Sequence, residues 1–451
     1  MPRRIFNRFS QVTPIQWLVV AAILHVVVTA SIFLIGHYRL QPGIFDENGI
    51  GISFAVDGVV YRVMISEMAS VLKNNGVGAW LNLLAPLHCR LYSLSFAFLG
   101  NILGHNILAA EPLNLLYYLG ILILVFWLGN TVFSRRTGLM AAVIVALWPS
   151  FLVHSTQLIR DPLSILLLLA LLFAMTLLLL RTLSWQRALW ISIASIVVIA
   201  TFWLTRGNMW NVILIALGIT TALLVIRMLR ERRLLLANAL LLVVLSFTAL
   251  LVPSLLPSVR FSGTRVVEPV IAIGFNSTQS GGWWSKLVNE VRRRRSAFSI
   301  YAAQRSNIDS DVRLNSATDI ISYLPRAIVV GCFAPFPRMW FEDGTSGHAG
   351  RMLAGAETLF MYLFYVPTIL CVWNNRRNLA VWLLFLITFI GMMSLGLMVV
   401  NVGAMYRFRF VFWMLVIVLG VEGLRVLKER PLHMVGKGAE RSLHRSEPTQ
   451  T

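Results

Sequence analysis

The stretch HSTQLIRDPLSILLLLALLFAMTLLLL, residues His154 to Leu180, sets a full charge pair, Arg160-Asp161, against an apolar run. Between Leu163 and Leu180 only Ser164 and Thr176 are polar, and a run of that length can cross a bilayer. Charges at the edge of a hydrocarbon layer are costly and tend to mark sites. Asp161 also has a plainer account. An acid before Pro162 is a standard helix start, with the acid as N-cap and proline in the first turn.

Composition extends the membrane reading to the whole chain. Of 451 residues, 57% are hydrophobic and 13% charged, and the mean hydropathy is +0.75. One soluble core could not hide that much apolar surface, so lipid must solvate much of it. The net charge of +20 is read as Lys and Arg at cytoplasmic helix ends beside acidic lipids, and no nucleic-acid partner is expected. Cys89, Cys332 and Cys371 have no metal-ligand spacing. Cys89 and Cys332 could pair if their loops meet, but packing is the simpler role for scattered cysteines. The basic start MPRR and the apolar run after Pro14 are read as a retained first span, not a removed signal peptide.

Ten segments are long and apolar enough to span: 15–37, 107–131, 137–157, 162–181, 188–205, 209–229, 234–253, 352–373, 378–400 and 405–427. The fold class expected is an all-α integral membrane protein of about ten spans. If the N-terminus is inside, the inner loops hold Arg135-Arg136, Arg181, Arg187, Arg227, Arg230, Arg232, Arg233, Arg376 and Arg377, besides the basic termini. The short outer loops keep only Arg160, Arg206, Arg407 and Arg409. That asymmetry places both chain ends in the cytoplasm and Arg160-Asp161 outside.

Two long outer segments remain, 38–106 and 254–351. Within Asp57–Lys73, Val60, Met64, Met68, Val71 and Leu72 share a helical face opposite Arg62, Glu67 and Ser70, so a helix at the membrane surface is expected. Leu91–Gly104 is apolar but too short to span, and reads as interfacial or re-entrant. In the second segment, Arg292–Arg295 reads as a solvated or headgroup patch, and YLPRAIVVGCFAPFPRMWFEDG as backbone folded against the membrane surface. The organisation is then a membrane module at 1–253, a long outer loop at 254–351, spans at 352–427 and a basic tail at 428–451.

Membrane-proximal ionisable residues therefore gather on one face: Asp46, Glu47, Asp57, His88, Arg90, Arg160, Asp161, Arg206, Arg338, Asp343, Arg407 and Arg409. Taken singly, Arg90 and Arg409 are most simply snorkelling residues at helix ends.

The order of features resembles a known family. Asp57-Gly58-Val59-Val60-Tyr61 follows the first span, and Ala85-Pro86-Leu87-His88-Cys89-Arg90-Leu91-Tyr92 opens a second short helix. Then come Leu113-Asn114, Leu128-Gly129, Arg135-Arg136, Gly138-Leu139 and Ala146-Leu147-Trp148-Pro149-Ser150. Arg160-Asp161-Pro162-Leu163, Leu204-Thr205-Arg206-Gly207 and Tyr406-Arg407-Phe408-Arg409-Phe410 complete the series. Together they resemble the GT-C class of polytopic membrane glycosyltransferases, such as protein mannosyltransferases and aminoarabinose transferases.

The resemblance implies a polyprenyl-phosphate-linked sugar donor, a glycan, lipid or protein acceptor, membrane lipids around the chain, and a site facing the periplasm of a bacterial inner membrane. It implies Asp57 as general base, with Asp46-Glu47 as the alternative acids, and Asp161 as a second catalytic carboxylate. Arg160, Arg206 and Arg407 would hold the carrier phosphate, since guanidinium groups bind phosphate bidentately. His88, Tyr61 and Glu47 would contact substrate. No metal ligand set stands out; no cofactor is required, though a divalent cation is compatible with such chemistry. Two rival readings are a flippase or transporter of lipid-linked glycans, and a polysaccharide polymerase or ligase using a diphosphate-linked donor. Spans almost free of charge favour a fixed site at one face over an alternating cavity.

Overall fold

The structure is a computed structural model that describes residues 14–46, 51–52, 56–256, 258–262, 265–270, 282–300, 307–342 and 347–443. Glu47 and Asp343 lie outside the described residues. The chain is all-α apart from two short antiparallel hairpins, β1 (Phe45–Asp46) with β2 (Gly51–Ile52) and β3 (Ser258–Ser262) with β4 (Arg265–Val270). By length and hydropathy, nine helical stretches among the described residues can cross a bilayer, or ten with one bent pair. This is an integral membrane protein. Large aliphatic and aromatic side chains such as Val20, Trp190, Val243 and Leu363 lie more than half exposed, a surface that only lipid satisfies.

The first span is α1 (Pro14–His37). Two helices of the first outer segment follow, α2 (Val56–Asn82), kinked at Gly76, and α3 (Leu87–Leu103). The second span is α4 (Ile107–Val132), N-capped by the Asn106 side chain. The third expected span is not straight. It is α5 (Arg135–Ala146) and α6 (Pro149–Ser155), meeting at 68°. Pro149 has no N–H to continue the α5 ladder, so the chain turns there. Next come α7 (Asp161–Leu180), α8 (Trp185–Arg206), α9 (Trp210–Glu231) and α10 (Leu236–Leu255), with one 3-10 turn, Gly207–Met209, joining α8 to α9. After α11 (Trp283–Ile300) and α12 (Ala317–Phe333) come α13 (Gly347–Asn374), α14 (Leu379–Met398), short α15 (Val402–Phe408) and α16 (Phe410–Leu443).

Polar contacts sort the helix ends onto two faces. Asp161 at the start of α7 meets Arg206 at the end of α8. At the other end, Arg227 donates to the carbonyls of Leu178 and Arg181, at 2.9 and 3.0 Å, and the Asn238 amide donates to the same two oxygens. There too Thr137 of α5 donates to Glu422 of α16 at 2.7 Å. Helices α7 to α10 therefore alternate in direction. The loops carrying Arg135, Arg181, Arg230 and Arg377 lie on the face opposite Asp161, as the charge asymmetry requires.

The second outer segment departs from the expectation. Its second half does not lie flat on the surface but forms α12, inserted beside α14. A Cβ at Gly331 would lie 2.0 Å from the Met392 carbonyl, and one at Gly396 would lie 2.0 Å from the Ala327 carbonyl. Small residues let the two backbones touch, the usual basis of helix contact in lipid. Both flanks of α12 lie on the Asp161 face: Ile308 donates to the Val400 carbonyl at 2.9 Å, and Gly347 sits against Ile44. The segment enters and leaves on one side, so it does not reverse the later spans. Arg292–Arg295 is not a bare patch either. Arg293 and Arg294 pair with Glu290, while buried Arg295 donates to the Leu397 and Asp309 carbonyls. All three cysteines are free.

Gly396→Val should force α12 and α14 apart at a cost of about 1–3 kcal/mol. The expected result is a lower melting midpoint of the detergent-purified protein; an unchanged midpoint would contradict this contact.

Candidate functional site

The turn Ser155–Asp161 joins α6 to α7 and is held along its length by other elements. Ser155 Oγ meets His25 Nε2 at 3.0 Å. The Thr156 carbonyl accepts from Asn114 Nδ2 at 2.9 Å, and Asn114 Oδ1 accepts from Tyr92 at 2.6 Å. Gln157 Oε1 accepts from the Ile52 amide at 2.9 Å. At Gly51, whose φ is +108°, a Cβ would fall 1.8 Å from that same Gln157 oxygen, so glycine serves both the backbone angle and the close approach. The first outer segment is thereby fastened to the turn, and the turn delivers Arg160 and Asp161 in fixed positions.

Asp161 is not a side-chain cap: the helix start is without a side-chain capping bond. Its carboxylate instead gathers arginines. Arg206 Nη1 donates to Asp161 Oδ1 at 2.5 Å and to Ser164 Oγ at 3.3 Å. Arg407 Nη1 stands 3.7 Å from Asp161 Oδ2, and Arg407 Nη2 donates to Asp57 Oδ2 at 3.0 Å. The Arg206 guanidinium also stacks 4.4 Å over the Phe408 ring, a favourable place for a desolvated cation. Side-chain exposure grades along this chain from 3% and 6% for Arg206 and Asp161, through 17% for Arg407, to 48% for Asp57. One end of the network is buried and the other opens to solvent.

The charges do not balance. Arg160 is partly buried, and its side chain makes no hydrogen bond or ion pair among the described residues. Arg206 Nε and Nη2 and Arg407 Nη1 are buried without a hydrogen-bond acceptor among the described residues. Three guanidinium groups thus face two carboxylates, with several N–H donors unspent. Burial opposes the Arg407 charge, yet Asp161 and then Asp57 outweigh it and hold its pKa above the ordinary guanidinium value. His88 lies fully buried with Tyr61 edge-on at 4.6 Å, and its Nδ1 has no partner among the described residues. Burial, reinforced by the Arg160 charge, pushes His88 down to about 3, so it stands by the site as a neutral ring.

Asp57, Tyr61, His88, Arg160, Asp161, Arg206 and Arg407 therefore converge at the mouths of α2, α3, α7, α8 and α15. Others singled out with them do not. Arg90 closes the turn between α2 and α3 by donating to the Trp80, Leu81 and Leu83 carbonyls. Arg409 is fully buried, donates to the Gly331 and Ala334 carbonyls and stacks on Trp413. Arg338 is exposed and pairs loosely with Glu342. Asp46 belongs to the β1–β2 hairpin. Among the described residues no three His, Cys, Asp or Glu side chains converge as a metal site.

Two supporting networks escaped the sequence reading. Glu111 bridges His25 Nδ1 and Thr29, each at 2.7 Å, tying α1 to α4 and, through His25, to Ser155. Glu357 of α13 accepts from the Ser150 amide at 2.8 Å and from the Tyr406 hydroxyl, which fixes the residue before Arg407. The available signal was an ionisable residue inside an otherwise apolar span.

No protein family and no curated protein matches this chain in sequence.

Asp161→Ala would leave Arg206 as a buried charge with no carboxylate to oppose it and should cost about 3–5 kcal/mol, whereas Asp161→Leu with Arg206→Met should recover most of that. Thermal unfolding in detergent reads both; a wild-type midpoint for Asp161→Ala would remove Asp161 from its organising position. Because His88 is neutral, anion binding at this site should stay flat between about pH 5 and 8. Sulfate, which does not titrate in this range, is the probe; a sulfate-binding curve falling through the ordinary histidine range would assign His88 a charge instead.

Proposed function

We propose that the protein is a membrane glycosyltransferase that moves a sugar from a polyprenyl-phosphate carrier to a hydroxyl acceptor on the extracytoplasmic face, as the resemblance to the GT-C class implies. The observation that carries this reading is the surplus of buried guanidinium donors on Arg206 and Arg407, beside an Arg160 that has no ion pair among the described residues, next to a carboxylate open to solvent. Such donors at headgroup depth suit a phosphate whose tail stays in lipid. An exposed carboxylate beside them suits a general base.

In this mechanism the carrier phosphate sits against Arg160, Arg206 and the free edge of Arg407. The acceptor O–H approaches Asp57, whose Oδ1 is not the oxygen engaged by Arg407. The acceptor oxygen bonds to the sugar C1 from the side opposite the phosphate, and its proton passes to Asp57. The C1–O bond breaks with its electron pair on the departing phosphate, and the configuration at C1 inverts. The added negative charge on the leaving group meets donors already in place, which is where preorganised charge contributes most. Asp161 is a positioning residue here: it holds Arg206 and orients Arg407 without facing the acceptor. Arg407 links the two halves, touching the base through Nη2 and standing beside Asp161 through Nη1, whose donor is left for the phosphate.

Purified protein with a polyprenyl-phosphate sugar and a hydroxyl acceptor should release polyprenyl phosphate. Asp57→Asn should lose at least about a hundredfold in rate while melting as wild type does. Full activity in that variant would end the general-base assignment, and lipid movement between leaflets without C1–O cleavage would point to a flippase. Turnover only with a diphosphate-linked donor would favour the polymerase or ligase reading.

A further inference from the structure

The face opposite Asp161 holds a second cationic locus. A cleft of about 270 Å³ opens where α7, α9 and the turn before α14 meet, lined by Leu179, Arg227, Arg230, Glu231, Arg377 and Asn378. Its charges are unequal. Glu231 is shared between Arg227 at 2.7 Å and Arg233 at 2.8 Å. Arg227 is spent further on the Leu178 and Arg181 carbonyls. Arg230 reaches only the Arg377 backbone carbonyl, at 3.5 Å. Neither Arg230 nor Arg377 pairs with a carboxylate among the described residues. Two uncompensated guanidinium groups lining one cleft repel each other until an anion lies between them.

We propose that this cleft binds the phosphate head of an anionic membrane lipid. A phosphate oxyanion fits the paired guanidinium groups, which present fork-shaped donors to it. The surroundings favour a lipid phosphate over a dissolved one. Leu179 and Leu379 form apolar wall, and Leu229, Leu234 and Leu236 beside the α9–α10 turn are 72%, 75% and 61% exposed. Trp373, 65% exposed, carries the Arg376 guanidinium 5.4 Å over its ring, the pairing expected at headgroup depth. A lipid would place its head among the arginines and its acyl chains against the exposed leucines. The occupied cleft would bind α9 to the α13–α14 turn, closing the bundle on the side away from the carrier site.

The test uses the full-length protein in a neutral detergent, followed by thermal unfolding and by native mass spectrometry. Short-chain phosphatidylglycerol, phosphatidylcholine and inorganic phosphate are added separately. Phosphatidylglycerol should raise the melting midpoint and remain bound in the spectrometer, while phosphatidylcholine should do neither. Arg230→Gln with Arg377→Gln should weaken phosphatidylglycerol binding by about tenfold or more. Both side chains are exposed, so the lipid-free midpoint of that variant should match wild type. Arg160→Gln, on the other face, should leave the effect intact. Equal stabilisation by phosphatidylcholine, or undiminished binding in the double variant, would overturn the proposal. A full shift produced by inorganic phosphate alone would overturn its lipid part and make the ligand a soluble anion.

Discussion

A carboxylate taken out of water at the rim of a bilayer must find cations, and Asp161 finds two. The cost of an unpaired buried charge exceeds most other single terms in a fold, so the mouths of α7, α8 and α15 have to meet. Once they do, Arg407 is held where it also reaches Asp57, and the first outer segment is drawn over the same spot. The arrangement leaves donors to spare, and that surplus gives the site its chemical character.

Around this pair the bundle is closed by polar fasteners as much as by apolar contact. Lipid tails are as apolar as leucine, so burying leucine between helices provides little drive of its own. His25, Glu111, Thr29 and Ser155 tie the first span to the turn that bears Arg160. Glu357 and Tyr406 do the same for the last helices, and Arg409 grips the end of α12. Each fastener sits close behind a residue of the site, and together they hold its geometry against the softness of the surrounding lipid.

The two faces of the protein differ in kind. On the Asp161 face both charge signs are brought together and graded from buried to exposed. On the opposite face the cations near the α9–α10 turn outnumber their acids and lie beside exposed leucines and a tryptophan. A network of paired charges thus faces one way and an excess of cations beside apolar surface faces the other.

Hydropathy is a local property, and the sequence carried it plainly for most spans. Runs such as Leu163–Leu180 announce their spans, and the arginine asymmetry between loops assigned the helix ends to two faces before any contact was known. The residues that converge at the candidate site were legible too, because ionisable groups stand out against apolar surroundings, whereas the supporting Glu111 and Glu357 were not. Other features belonged to the tertiary structure alone. The bend at Pro149 and the insertion of α12 depend on what each segment packs against. The same is true of the choice of Arg206 and Arg407, and not Arg409, as partners of the acids. Arg206 and Asp161 are 45 residues apart, and Arg407 and Asp57 are 350 apart. Whether an arginine ends beside a carboxylate or a backbone carbonyl is decided by the close approach of helices through space, which no local window of sequence contains.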